Sequence, residues 1–260
     1  MIPAGWFARS MTAFAVICMI FPLIIVVAAS VNPEREVTFP PQGFSLEWYA
    51  NVFQRERFLK SFQFSVLLAV ASTLLSLAIG LLCAIALVRH QFKGREAIAT
   101  LLNSPLMVPQ VVIGMSLLIL FSRAGTINSV IGLGILHLIL TLPYTIRVLT
   151  AALVRFPVSL EEAAVIHGAH RVAAFALITI PCIKPGLVAA AIFAFVTSFD
   201  NFTASQFLVW DRTTLPVEIF AYAVTETDPT VCAISTLLIF TTIFLVVAIE
   251  RWVGLETVTG

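Results

Sequence analysis

Charge is what this 260-residue chain has least of: 11% of its residues are Asp, Glu, Lys or Arg, against 60% hydrophobic ones. A soluble domain averages about 25% charged residues, so the deficit excludes an ordinary water-soluble fold and implies a membrane protein. The net charge is +1, and no basic or acidic tail is present, which leaves no electrostatic footprint for nucleic acid. Cysteine is sparse too. Cys18, Cys83, Cys182 and Cys232 are scattered with no CxxC pair, so neither a disulfide framework nor a zinc site is expected, and each is read as a small core hydrophobe. Also missing are a G-x-x-x-x-G-K-[ST] phosphate loop, an HExxH pair, paired carboxylates at membrane depth and an internal repeat. No catalytic residue, metal or cofactor bound by this chain is therefore expected, nor is a single-chain inverted-repeat carrier.

What the chain does have is long apolar runs. A membrane helix needs about 20 apolar residues, and six segments qualify: 11–31, 61–88, 98–122, 126–150, 185–205 and 231–252. The first run is longer than the apolar stretch of a signal peptide and is read as a retained transmembrane helix. The third carries Pro105 and Pro109, and the fourth carries His137 and Pro143; both are expected to kink, since proline removes a backbone hydrogen bond and clashes with the preceding turn. The expected fold is all-α, one transmembrane domain over 1–260, with a cytoplasmic loop over 152–184. Six spans put both termini on one side. That side carries nine of the fifteen Lys and Arg residues, Arg9, Arg89, Arg147 and Arg251 among them, and the other side six. The bias places the termini in the cytoplasm.

One polar stretch interrupts the oily chain on that side, Glu161 to Pro181, EEAAVIHGAHRVAAFALITIP. Ser159 and Glu162 have the spacing of a capping box, with the Ser hydroxyl accepting from the Glu162 N–H. Leu160, Ala163, Ala164 and His167 make a narrow helical face. Gly168 is expected to end this helix in a left-handed conformation. A second short helix follows with Val172, Phe175, Ala176 and Thr179 on one face, and Pro181 is expected to stop it. The residues alone leave two readings open, an amphipathic connector on the membrane surface and a docking site for another protein.

At these residues the chain resembles the transmembrane subunits of type I ABC importers, the binding-protein-dependent permeases of the MetI-like fold. That family has Glu-Ala-Ala, three residues, Gly, nine residues, then Ile-x-Leu-Pro. Glu162, Ala163, Ala164, Gly168, Ile178 and Pro181 match at this spacing, with Ile180 for the usual Leu. Ile166-His167 stands where Asp-Leu is frequent, and His170 where Ser or Thr is frequent. The resemblance implies a coupling helix, with Glu161, Glu162, Ala163, Ala164, Gly168, Phe175 and Pro181 as its coupling residues, docked on an ABC ATPase dimer. ATP and Mg would then sit on that partner, which accounts for the missing phosphate loop; a passive channel would have no use for such a motif. It further implies a second, related permease subunit, an extracytoplasmic substrate-binding protein, and the bacterial inner membrane as location. Segments 44–50, 104–109, 198–202 and 214–216 are similar to the spermidine/putrescine branch, which implies a small cationic amine, most simply a polyamine; another organic amine or amino-acid-like solute is the alternative.

Asp200 is the most informative residue for such a substrate. At about 1.5 Å per residue it is expected roughly 22 Å along the fifth span, where a carboxylate faces a bundle interior or a wet cavity. With Phe199, Asn201 and Phe202 beside it, and Trp210 in the following outer loop, it is expected to line the substrate pathway, the rings offering cation–π contacts to an ammonium group. The alternative is an interface-level carboxylate paired within the protein. The outer loops hold eight acids against six bases, which suits a cation but reads first as solvation. Ser72, Ser76, Gly80 and Ala84 form a small-residue row for close helix packing, and His137, Tyr144 and Gln110 are read first as buried hydrogen-bonding groups, with a pore lining as the alternative.

Overall fold

The computed structural model describes residues 4–126 and 128–253, and among them there is no strand. Twelve α-helical segments follow in order: α1 (Ala4–Ala29), α2 (Glu47–Gln54), α3 (Glu56–Arg89), α4 (Arg95–Asn103), α5 (Gln110–Arg123), α6 (Ser129–Arg155), α7 (Ser159–Ile166), α8 (Arg171–Ala174), α9 (Ile180–Cys182), α10 (Lys184–Phe199), α11 (Leu215–Thr225) and α12 (Thr230–Val253). By length and composition α1, α3 and α6 can each cross a bilayer, and two bent pairs raise the number to five. The sixth expected segment falls on α12, whose described apolar part runs Thr230–Phe244.

The chain divides into two compact units, Met1–Lys60 with Glu218–Phe244, and Ser61–Val217 with Leu245–Gly260. In the first, Asn32 organises the segment after α1. Its carbonyl accepts from Trp48 Nε1 at 2.6 Å, its Nδ2 donates to Thr38 at 2.7 Å, and its Oδ1 accepts from the Gln42 N–H at 3.1 Å. Tyr222 in α11 packs edge-on against Phe58 at 5.3 Å, lies under the Arg55 guanidinium at 4.5 Å, and donates to Asp228 at 2.7 Å. Most of α1 is exposed, with Trp6, Phe14 and Met19 all more than 60% open; such an apolar surface belongs in lipid or against another membrane chain.

In the second unit α10 lies along α6, with Ala190 and Ala194 wholly buried. A Cβ on Gly186 would stand only 2.5 Å from Ala152 Cβ, so the absence of a side chain lets the two helices approach. One apolar core joins Phe64, Leu68, Leu117, Leu133, Leu136 and Leu208. A second joins Ala84, Leu149, Leu153, Phe156, Ile183 and Ala190. The small-residue row of α3 packs as expected: Ser72, Ser76 and Ala84 are buried, Ser76 meets the Thr141 hydroxyl, and a Cβ on Gly80 would come within 2.7 Å of Thr145 Cγ2.

Several sequence expectations shift. The third span breaks into α4, a 3-10 turn Ser104–Met107, and α5, with a bend of 100°. The bend sits at Val108 and Pro109, both extended (ψ 131° and 132°), because a residue before proline is pushed out of the helical region. Pro143, by contrast, is carried inside one continuous α6. That helix starts at Ser129 rather than 126, because the Asn128 side chain accepts from the Val130 and Ile131 N–H groups and caps it. The fifth span is shorter than 185–205: α10 ends at Phe199. Asn201 Oδ1 captures the Ala204 and Ser205 N–H groups and the Ser205 hydroxyl, a local competitor that turns the chain out of the helix. The cysteines do not share one role. Only Cys232 is buried, while Cys18 and Cys182 are exposed on helix faces that this chain does not itself cover.

Candidate functional site

The polar stretch Glu161–Pro181 folds into two short helices around a glycine. Gly168 has φ +95°, the left-handed conformation that costs other residues a Cβ clash. Ala169 N–H donates to the Ala164 carbonyl and Gly168 N–H to that of Val165, both at 3.0 Å, the paired bonds of a Schellman C-cap. His170 then starts α8 by accepting from the Val172 N–H on Nδ1 at 3.3 Å, so it does the work of the Ser or Thr frequent there.

The capping box does not form. Val158, not Ser159, is the residue before α7, and no side chain caps it. Its carbonyl takes the Glu161 and Glu162 N–H groups instead. Pro157 one residue earlier draws Val158 into the first turn, so Ser159 lies inside the helix. Nor does Pro181 stop the second helix. A π-helical stretch, Phe175–Thr179, widens the turn ahead of it, which removes the carbonyl that the ring would strike in an α-helix. The break comes at Ile183, where the run Arg171–Cys182 bends by 69° into α10.

The predicted coupling residues separate into two sets. Glu162, Ala163, Gly168 and Pro181 are exposed, together with Ile166 (84% open) and Val172 (67%). These two large apolar side chains stand on either side of Gly168 in the chain, Ile166 where the family frequently has Asp and Val172 on the face read for the second helix. Glu161 turns the other way. Its Oε2 lies 2.7 Å from Arg89 Nη2, its Oε1 accepts from Arg89 Nη1 at 3.1 Å, and Thr179 Oγ1 donates to Oε2 at 3.0 Å. The Arg89 guanidinium also lies 5.5 Å from the Phe175 ring centroid. Burial alone would raise the Glu161 carboxyl, but the hydrogen bonds from Arg89 and Thr179 and the charges of Arg89 and Arg171 outweigh it and hold the group below the usual carboxylate range. In the sequence Arg89 is only one positive charge among those on the side of the termini; its pairing with a residue 72 positions on has no local signal.

The residues around Asp200 also divide. Asp200 is exposed just past the end of α10. Phe199 is buried, stacked on Phe195 at 5.6 Å and edge-on to Phe62 at 6.2 Å. Asn201 is buried and donates to Gln110 Oε1 at 2.9 Å, just beyond the 100° bend. Phe202 is half-buried and Trp210 exposed, the latter held by its N–H on Ser129 Oγ at 2.6 Å. Of the five, Asp200 and Trp210 present themselves outward, while Phe199 and Asn201 build the support. Beneath them His137, fully buried, lies 2.7 Å from Ser198 Oγ through Nδ1 and 3.0 Å from Ser205 Oγ through Nε2. The Ser205 proton goes to Asn201, so Nε2 must donate to Ser205 and Nδ1 accept from Ser198. The buried His137, Ser198, Ser205 and Asn201 are all hydrogen-bonded in this knot, as the sequence reading expected for His137, while Gln110 is half-buried and accepts from Asn201. Tyr144 is different, its side chain being more than a third exposed. Among the described residues no cluster of His, Cys, Asp or Glu can hold a metal ion.

The family model described as "Binding-protein-dependent transport system inner membrane component" matches residues 76–255, a range that contains the whole of the element 158–182. The chain is 31% identical over 244 residues to the spermidine/putrescine transport system permease protein PotC of Haemophilus influenzae, covering 93% of this chain and 95% of that one. It is 29% identical to the putrescine transport system permease protein PotI of Escherichia coli K12, covering 84% and 80%. In fold it is similar to a chain of a bacterial ABC transporter that imports the acidic polysaccharide alginate, with a TM-score of 0.74 at 16% identity, covering 95% of each chain.

Proposed function

Since the chain belongs to the binding-protein-dependent transport system inner membrane component family, a family of multi-pass inner-membrane permeases, we propose that it is half of the membrane path of an ATP-driven importer for small cationic amines, a polyamine first among them. The observation that carries the coupling half of this reading is the exposed α7–Gly168–α8 element, with Glu162, Ile166 and Val172 on its open side. The amine half draws on the likeness to polyamine permeases over most of the chain and on the outward carboxylate of Asp200.

In this reading the termini and the element 158–182 are cytoplasmic, and an ABC ATPase dimer seats the element in a groove. ATP and Mg bind there, on the partner. Closure of the ATPase pair shifts the membrane helices only because the two arrangements bind ATP with different affinity. A related second permease subunit completes the path, and an extracytoplasmic binding protein delivers the amine. Asp200 supplies a negative charge just past the C-terminal end of α10, and Trp210 an aromatic face for an ammonium group.

Reconstitution with these partners in proteoliposomes tests the reading. ATP-dependent uptake of labelled spermidine or putrescine is expected, and Asp200→Asn should raise the apparent KM about tenfold, the worth of one charged contact. Unchanged KM in an assembled complex removes Asp200 from the path; ATP-driven uptake of some other solute, with neither amine moved, removes the amine assignment.

A further inference from the structure

We infer that Arg89, at the cytoplasmic end of α3, is a positioning residue for transport, and that its pair with Glu161 is the strut through which the coupling element moves α3. The inference rests on the reading that the element docks an ATPase. Four observations converge on it. Arg89 meets Glu161 through both guanidinium ends: Nη1 donates to Oε1 at 3.1 Å, and Nη2 lies 2.7 Å from Oε2 as a charge contact without hydrogen-bond geometry. Both side chains are largely buried, 19% and 13% exposed. Thr179 and Phe175, from the π-helical stretch, brace the same pair from the carboxylate and the guanidinium side. The pair therefore ties three pieces of chain at one point: the end of α3, the first turn of α7 and the run leading into α10.

Elsewhere the element turns outward, with Ile166, Val172 and Leu177 each more than two-thirds exposed. A load applied to that open side reaches α3 through this cluster. A planar fork resists rotation as well as separation, which a single ammonium contact does not. Low exposure matters too, because a partly buried pair is little weakened by salt and so stays closed through a transport cycle. Glu161 thus has a different task from its neighbour Glu162, which faces outward.

The test uses the whole complex in proteoliposomes, with three readouts: ATPase subunit retained on purification, ATP hydrolysed, and labelled spermidine taken up. Glu162→Lys reports on docking and should strip the ATPase from the complex. Arg89→Gln should keep the ATPase bound while uptake per ATP falls about tenfold, with Arg89→Lys intermediate because it keeps charge without the fork. The double variant Arg89→Gln with Glu161→Gln leaves no lone buried charge, so it guards against misfolding of the single ones. Its loss should equal that of Arg89→Gln alone, since two residues acting as one unit are not additive. Normal uptake per ATP in Arg89→Gln, or additive losses in the double variant, overturns the strut. Retention of both ATPase and uptake in Glu162→Lys overturns the docking reading instead.

Discussion

The interior knot around His137 and the two-helix element around Gly168 both place polar groups in an oily chain, on opposite terms. In the knot, His137, Ser198, Ser205, Asn201 and Gln110 hand protons round a closed network with little or no exposure for most members. In the element most polar side chains face out, the helices are short, and one buried pair anchors them to α3. Closed satisfaction makes a rigid support; open polarity leaves a surface that only a partner can complete. A buried polar group left unpaired is costly in hydrocarbon, so the knot has no freedom to do anything but hold.

That contrast can be broken first at the knot. His137→Phe strands the Ser198 and Ser205 hydroxyls and should lower stability by about 2–4 kcal/mol, read as a fall in the thermal midpoint in detergent; an unchanged midpoint would mean that the knot contributes nothing. Gly80→Val should cost about 1–3 kcal/mol by overpacking, because its Cβ would press on Thr145 at 2.7 Å. Gly168→Val acts on the other region. No atom lies within 4 Å of its Cβ, so the change strains only the φ of +95°, at about 1–2 kcal/mol. Uptake should fall while the midpoint of the whole chain stays put. The pair at Glu161 gives a pH signature. Its carboxyl is held low in the folded chain, so its contribution is complete above the ordinary carboxylate range and is lost as pH falls through the depressed value. Proteolysis of the element should quicken only in acid, and Glu161→Gln should abolish that dependence. The smallest effect belongs to Ser159→Ala, within about 0.5 kcal/mol, since no cap bond exists to be lost.

Local rules carried the sequence reading a long way. The glycine break at 168, the bend near Pro105 and Pro109 and the close-packed row on α3 each follow from one residue's conformational range or size. They failed where two local rules compete. The Ser159 cap lost to a helix start one residue earlier, after Pro157, and the expected stop at Pro181 was absorbed by a π turn. The fifth span ended early because Asn201 offered its own backbone a better partner than the helix did. Among the candidate site residues, the Glu-Ala-Ala pattern marked Glu161 and Glu162 alike as coupling residues and could not tell one from the other, since adjacent residues on a helix diverge by about 100° and only the neighbours decide which side is covered.

By itself the sequence determined the membrane setting, the apolar segments, the glycine break of the two-helix element and the family pattern written across it, all of them consequences of composition or short-range stereochemistry. Tertiary structure alone decided the 69° bend at Ile183, the knot of His137 with residues 61 and 68 positions away, and the turning of Glu161 onto Arg89. Those depend on which helix faces lie against each other, and a linear pattern carries no measure of distance between residues that meet only after the chain has packed.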